Sequence, residues 1–404
     1  MTTEQNEFRE SRLLILLAAV QVTHIMDFMV MMPLGPQLMR VLHVTPHDFG
    51  LLVSAYTFGA AASGFFAAFH IDRFDRKTAL LGIYAGFTVT TLLCAFAPGF
   101  WTLLAARTAA GVFGGIVGAV VYAIVGDLVP DERRGTAMGI ISAAFSLSAI
   151  AGVPIGLFLA NHFDWRAPFA FLTITGVILW VLCWRALPKV DRHLEARRSG
   201  TVFEQLHAVF AQRNHLNAFA LIATLMFAGF SVIPFISPYT VANVGLKETD
   251  LPYLYLAGGL ATLFTSRWIG RLSDRHGKRR VFRVVAAISV VPLLITTNLP
   301  PVPVPVAIAA SVIFMVFVSG RFVPVMALVT SSVTPRLRGS FLAFNSSIQQ
   351  LFAGLAAYTG GLIMGRAPDG RITHYWAVGL LAVTATIVCI WLAGRVRPAS
   401  EPPP

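Results

Sequence analysis

The chain has 404 residues, 56% of them hydrophobic and 12% charged, with a mean hydropathy of +0.71, where a soluble domain carries roughly 25% charged residues. Such a chain cannot cover itself with polar surface in water, which excludes a soluble globular enzyme. Its formal net charge of +12 would suggest a nucleic-acid partner in a soluble protein, so the placement of the charge has to be read before its sign is used.

The chain opens on a polar stretch, Met1 to Arg12, holding Glu4, Glu7 and Glu10. This is unlike the short basic leader of a signal peptide, and the apolar run behind it is expected to be retained. Twelve apolar runs follow, each long enough to cross about 30 Å of hydrocarbon as a helix. The expected spans are 12–38, 47–70, 77–97, 100–128, 135–160, 165–187, 216–242, 250–269, 281–299, 303–331, 340–364 and 374–396. Pro33 and Pro36 in the first span, Pro234 and Pro238 in the seventh and Pro324 in the tenth each remove an amide donor, so kinks are expected there. Cys94, Cys183 and Cys389 fall inside apolar spans without paired spacing. They indicate no disulfide framework and no metal site, and no cofactor is expected.

Alternation across the membrane sorts the charge. Of 31 Lys and Arg, 24 fall on the face that carries both termini, five on the other, and Arg107 and Arg321 within spans. By the positive-inside rule both termini are expected in the cytoplasm, and the basic charge then needs no polyanion. Asp72-Arg73-Phe74-Asp75-Arg76-Lys77 between spans 2 and 3 recurs as Asp274-Arg275-His276-Gly277-Lys278-Arg279-Arg280 between spans 8 and 9, an offset of 202. The expected organisation is therefore an N-terminal six-helix half (1–188), a cytoplasmic linker (189–214), a C-terminal six-helix half (215–397) and a disordered Pro-rich tail (398–404). Repeated halves with a site between them are a usual architecture of secondary transporters.

The two charged loops resemble the signature loop of the major facilitator superfamily, Gly-x-x-x-Asp-Arg-x-Gly-x-Arg-Arg. The stretch Gly270 to Arg280 fits throughout; in the first copy Ala68 replaces the leading Gly and Asp75 the turn Gly. Arg107-Thr108-Ala109-Ala110-Gly111 with Gly114 and Gly115 is similar to the Arg-x-x-x-Gly motif of span 4. Gly152-Val153-Pro154-Ile155-Gly156, followed by Trp165-Arg166, resembles a reduced form of the antiporter motif of exporters. The resemblance implies an all-α membrane protein of twelve transmembrane helices in two pseudo-symmetric six-helix halves. It further implies the drug:proton antiporter branch, near sugar and nucleoside efflux permeases. Gly152, Pro154 and Gly156 would then serve gating.

The remaining candidates come from the residues themselves. An Asp at a helix end can face a neighbouring helix N-terminus and pair with nearby Arg, so Asp72, Arg73, Arg76 and Asp127 are expected to form a gating latch, with Asp274 and Arg275 as its second copy. Ionisable side chains inside hydrocarbon cost several kcal/mol unless paired or hydrated. Asp27 lies about 21 Å along span 1 and Arg107 about 10 Å along span 4 from the opposite face, so the two depths coincide and an ion pair is expected. Burial favours a neutral carboxyl and a nearby Arg a charged one, so a proton could bind as the pair loosens. Asp27, Arg107 and His24 are the proton-coupling candidates. Gln21, His24, Asp27, Phe28 and Met31 recur at steps of three and four, one face expected to line a cavity. Arg321 has no intramembrane acid in its half and would suit an anionic or hydrogen-bonding solute, with Asn345 and Gln349 adding hydrogen bonds. These, with Gln21, Phe28 and Met31, are the substrate-binding candidates.

No ATP-binding Gly-rich Lys motif, His-Glu-x-x-His or Gly-x-Ser-x-Gly is present. The expected function is export of a drug-like molecule, sugar, nucleoside or organic anion in exchange for protons. Proton symport or facilitated diffusion of a small polar metabolite shares the fold, and a non-transporting receptor or assembly partner is the reading from another class. The expected partners are a small-molecule substrate, protons and the bilayer of the bacterial inner membrane, with no nucleic acid and a monomer as the functional unit.

Overall fold

The computed structural model describes residues 3–70, 74–191, 207–334 and 337–399. Asp72 and Arg73, part of the linker and the end of the tail lie outside the described residues. Twelve helices cross the molecule. They are α1 (Thr3–Val30), α2 (Pro46–His70), α3 (Arg76–Ala95), α4 (Phe100–Leu128), α5 (Asp131–Leu147, resuming as Val153–His162) and α6 (Ala167–Ala186) in the first half. The second half holds α7 (Arg213–Phe230), α8 (Leu251–His276), α9 (Lys278–Thr297), α10 (Val304–Gly320, resuming as Phe322–Ser331), α11 (Arg338–Ile363) and α12 (Tyr375–Leu392). Ten of these spans are both long and apolar enough to cross a bilayer on composition alone; α8 and α11, at 26 residues each, are long enough but more polar.

Proline decides where spans stop being regular helix. The first span does not continue through Pro33 and Pro36. Its helix ends at Val30, a turn follows, and a separate short helix runs Gly35–Val41. Pro33 has no amide to donate back, so the interruption sits where the ladder would have lost a bond. In α5 a π-helical turn, Ser148–Gly152, precedes Pro154 and takes up the displaced carbonyls. The seventh span breaks after Phe230 into a 3₁₀ turn holding Pro234 and a short helix holding Pro238. The tenth breaks at Arg321, three residues before Pro324. Between α11 and α12 a two-stranded hairpin, β1 (Gly365–Arg366) with β2 (Ile372–Thr373), turns at Pro368-Asp369-Gly370, a small departure from the all-helical expectation.

The halves meet chiefly along α2 and α11. Small residues let the backbones approach: Gly50 lies against Ala357 and Gly361, Gly354 against Thr57 and Phe58, and Gly64 against Ser347. On the face opposite the termini one apolar core spans both halves, joining Met31, Leu34, Phe49 and Leu157 to Phe235, Ile236, Leu251 and Leu254. Toward the terminus face the core divides into one cluster for each half, around Tyr84, Val121 and Ile141 and around Phe219, Phe282 and Phe341. The halves thus share one core on the far face, while on the near one each has its own cluster and the two meet through Gly64 against Ser347 and through the Phe65 and Phe344 rings at 5.6 Å.

Candidate functional site

Backbone contact between α2 and α4 builds the site. A Cβ on Gly111 would run into the Tyr56 carbonyl, and one on Gly115 into Ala60. The glycines let α4 lie directly on α2, and Arg107, one turn from Gly111, is thereby brought to α1. Its Nη1 donates to Asp27 Oδ2 at 2.7 Å and to the Asp27 backbone carbonyl at 3.3 Å. Both side chains are buried, Asp27 at 0% and Arg107 at 1% exposure. The Thr91 hydroxyl donates to Asp27 Oδ1 at 3.4 Å. The guanidinium lies 4.5 Å over the Tyr56 ring and 5.9 Å from the Phe169 ring, a cation over two π faces.

The other face residues of α1 divide by depth. Gln21 is buried against Gly118, with Oε1 lacking a hydrogen-bond partner among the described residues. His24 meets Phe87 edge-on at 6.0 Å and packs beside Gly114, its Nδ1 likewise without a partner. Phe28 packs on Tyr56 at 5.4 Å and on Phe230 of the other half at 5.9 Å, so it bridges the halves beside the ion pair. Met31 is sealed in the apolar core of the far face at 1% exposure.

Arg321 is not unpaired. It sits at the break in α10 with 1% exposure, donating from Nε to the Val318 carbonyl at 3.2 Å and from Nη1 to the Thr386 hydroxyl of α12 at 2.9 Å. Two of its donors are thus used on α10 and α12 of its own half. Asn345 is 1% exposed with Oδ1 unpartnered among the described residues, and half-buried Gln349 reaches Met326 Sδ of α10 at 4.0 Å.

The duplicated loops differ in structure. Asp75 caps α3 at φ −54°, whereas Gly277, at the same place in the second copy, has φ +88°. The backbone at Asp75 is therefore not left-handed, and Asp is not unsuited to that position. Asp75 accepts from the Thr78 amide and hydroxyl and from the Val190 amide, tying the loop to the end of α6. Partial burial would raise its carboxyl, but these bonds outweigh it and hold the group below the usual range. Arg76 Nε donates to Asp127 Oδ2 at 3.1 Å, joining two of the expected latch residues. Asp274 and Arg275 are exposed at the end of α8. Gly152 and Gly156 face α1, where a Cβ would meet Met26 and Val30, and Pro154 between them stands in the first turn of the helix that follows the π turn.

Sequence reasoning missed Tyr56, Thr91 and the far-face pair Arg40 with Glu248. Arg40 and Glu248 pair bidentately across the halves, and the Glu248 carbonyl accepts from Asn161 Nδ2 at 3.2 Å. Tyr56 and Thr91 carry no charge to mark them in an apolar run, and Arg40 and Glu248 lie 208 residues apart.

A family profile described as Major Facilitator Superfamily matches residues 17–266 and again 218–404. The chain belongs to the Major Facilitator Superfamily. Members of this superfamily are transporters, so the chain is a multi-pass membrane transporter and not an enzyme. The uncharacterized MFS-type transporter YceJ of Bacillus subtilis (strain 168) is 29% identical over 357 residues, 87% of this chain and 89% of its own length. A probable sugar efflux transporter of Helicobacter pylori (strain P12) is 25% identical over 232 residues, 57% of this chain and 58% of its own. Among solved structures, the D-xylose-proton symporter matches with a TM-score of 0.77 at 16% identity, covering 96% of this chain and 98% of that one. At that identity the likeness speaks for the superfamily fold alone.

Proposed function

We propose that this superfamily member exports a small molecule in exchange for protons by alternating access, within the drug:proton antiporter branch, with Asp27 as proton carrier and Arg107 as its counter-charge. The observation that carries the reading is the buried contact of 2.7 Å between them. While Asp27 is ionised the pair is neutral. A proton on Asp27 leaves Arg107 as an uncompensated buried charge, a state that costs about 3–5 kcal/mol when one partner of such a pair is removed. Protonation thus favours a rearrangement that lets the guanidinium reach water or solute, and reclosure expels the proton. His24, one turn from Asp27, is placed to tune it.

Gln21, Phe28, Asn345 and Gln349 are the substrate contacts of this reading, offering amides and one aromatic face, and Met31 and Arg321 are packing residues. A sugar or nucleoside suits such a set, and one relative's name points to sugars. With the terminus face cytoplasmic in the bacterial inner membrane, as the 24 Lys and Arg there suggest, the far-face seal corresponds to an inward-facing state. The halves 1–188 and 215–397 then rock as units in a monomer, with Arg76 and Asp127, already paired within the first half, holding the inner end of α4 in place for the latch. Asp274 and Arg275, with Asp72 and Arg73, complete the latch, and Gly152, Pro154 and Gly156 let α5 flex against α1.

The test is accumulation of substrate in proteoliposomes under an imposed pH gradient, over a panel of sugars, nucleosides and drug-like cations. Asp27→Asn should abolish uphill accumulation and retain equilibrium exchange. Undiminished accumulation by this variant would remove Asp27 from the mechanism.

A further inference from the structure

The two charged loops have become unlike in charge balance. In the first half, Arg76 has the acid Asp127, which stands three residues before Pro130 at the end of α4. Three residues before Pro335, where α10 ends, stands Ser332. Lys278, at Arg76's position in the second loop, instead donates to the Ala327 carbonyl. The second half has the basic residues of the loop without a carboxylate at that place.

A cleft of about 1160 Å³ lies on the terminus face of the second half. Lys278, Arg279, Arg280, Arg283 and Arg338 line it, and Asp274 is the only acid among the described residues that line it. Arg280, Arg283 and Arg338 are exposed. Arg279 spends Nη2 on the Val396 carbonyl, while its buried Nε has no partner among the described residues. The cleft has an apolar side as well, in Val284 and Leu328.

Val284 also begins a stripe. It lies one turn beyond Arg280 on the same face of α9, and Ile288, Val291 and Ile295 continue that face, all four between 43% and 58% exposed. From Val284 to Ile295 is about 16 Å at 1.5 Å per residue, close to half of a hydrocarbon core about 30 Å thick. A fork of donors at the membrane surface thus stands directly above an apolar track one leaflet deep.

We propose that this cleft binds the phosphate of an anionic phospholipid, with an acyl chain laid along Val284, Ile288, Val291 and Ile295. The phosphate supplies the negative charge that Asp127 supplies in the first half, and Arg pairs with phosphate oxygens as it does with carboxylate. A soluble phosphate would use the basic cluster and leave the stripe unused.

Full-length protein in detergent is titrated with phosphatidylglycerol, phosphatidylcholine or inorganic phosphate, and bound adducts are read by native mass spectrometry. Phosphatidylglycerol should be retained in preference to phosphatidylcholine. Arg280→Gln with Arg338→Gln should weaken it about thirtyfold, at about fivefold for each basic residue. The corresponding pair of Lys substitutions should keep most of the affinity, and Arg366→Gln, on the opposite face, all of it. Equal retention by the Gln pair and the parent protein overturns the site. Displacement of the lipid by inorganic phosphate at millimolar concentration overturns the lipid assignment.

Discussion

At the residue scale the molecule turns on how one carboxylate is kept in hydrocarbon. Asp27 has a guanidinium at 2.7 Å and a threonine hydroxyl at 3.4 Å, and Arg107 has in addition the π faces of Tyr56 and Phe169. A buried pair of this kind is costly to break from either side, and much less costly to remove whole. Asp27→Asn and Arg107→Gln should each lower stability by about 3–5 kcal/mol, and the double variant by clearly less than their sum. Thermal unfolding of the purified proteins in one detergent checks this; additive losses would mean that the two side chains do not depend on each other. The pair itself was legible in the sequence, because intramembrane charges are few and helical rise fixes their depth. Arg321 was legible only as a deep charge. That one of its donors meets Thr386 follows from how α12 packs on α10, and no local pattern carries that.

At the element scale, glycine and proline set where helices touch and where they stop. The Arg-x-x-x-Gly spacing works because Gly111 removes the side chain that would hold α4 away from the Tyr56 carbonyl. Gly111→Val should therefore push α4 off α2 and draw Arg107 from Asp27, at a cost of about 1–3 kcal/mol from overpacking. All charges stay in place, so a fall in gradient-driven transport would come from geometry alone. Uptake in proteoliposomes beside a melting curve separates the effects, and parent-like transport would show that the close approach does not position Arg107. Irregularity at prolines was legible as kinks, but its form was not. Pro33 lies in the turn after a helix that ends at Val30, Pro154 follows a π turn and Pro324 lies behind a break.

At the scale of the whole molecule the question is which face is closed. The far-face core joins both halves, with Arg40 and Glu248 paired at its rim. That ion pair is 60% exposed at Arg40 and 19% at Glu248, so it contributes only about 0.2–1 kcal/mol, and the apolar seal contributes most. Glu248→Gln should accordingly raise the far-face-open population by a factor of about 1.4 to 5. Maleimide labelling from the far side of a cysteine placed at Met31 reports it, against a low background because Cys94, Cys183 and Cys389 are all buried. An unchanged labelling rate would leave the pair without weight in the closure.

The sequence alone determined the membrane class, the twelve spans, the recurrence of the charged loop and the superfamily, because hydrocarbon thickness, backbone satisfaction and repeated loop chemistry leave their marks in local order and spacing. It determined the partnership of Asp27 and Arg107 by depth. Only the tertiary structure decided that Arg321 bonds to Thr386 within its own half, that Asp75 makes a different turn from Gly277, and that Arg40 meets Glu248 across 208 residues of chain. It alone showed that the second charged loop keeps its basic residues without the acid of the first. Each of these depends on which helix lies against which, and a linear pattern fixes the face of a helix without naming its neighbour.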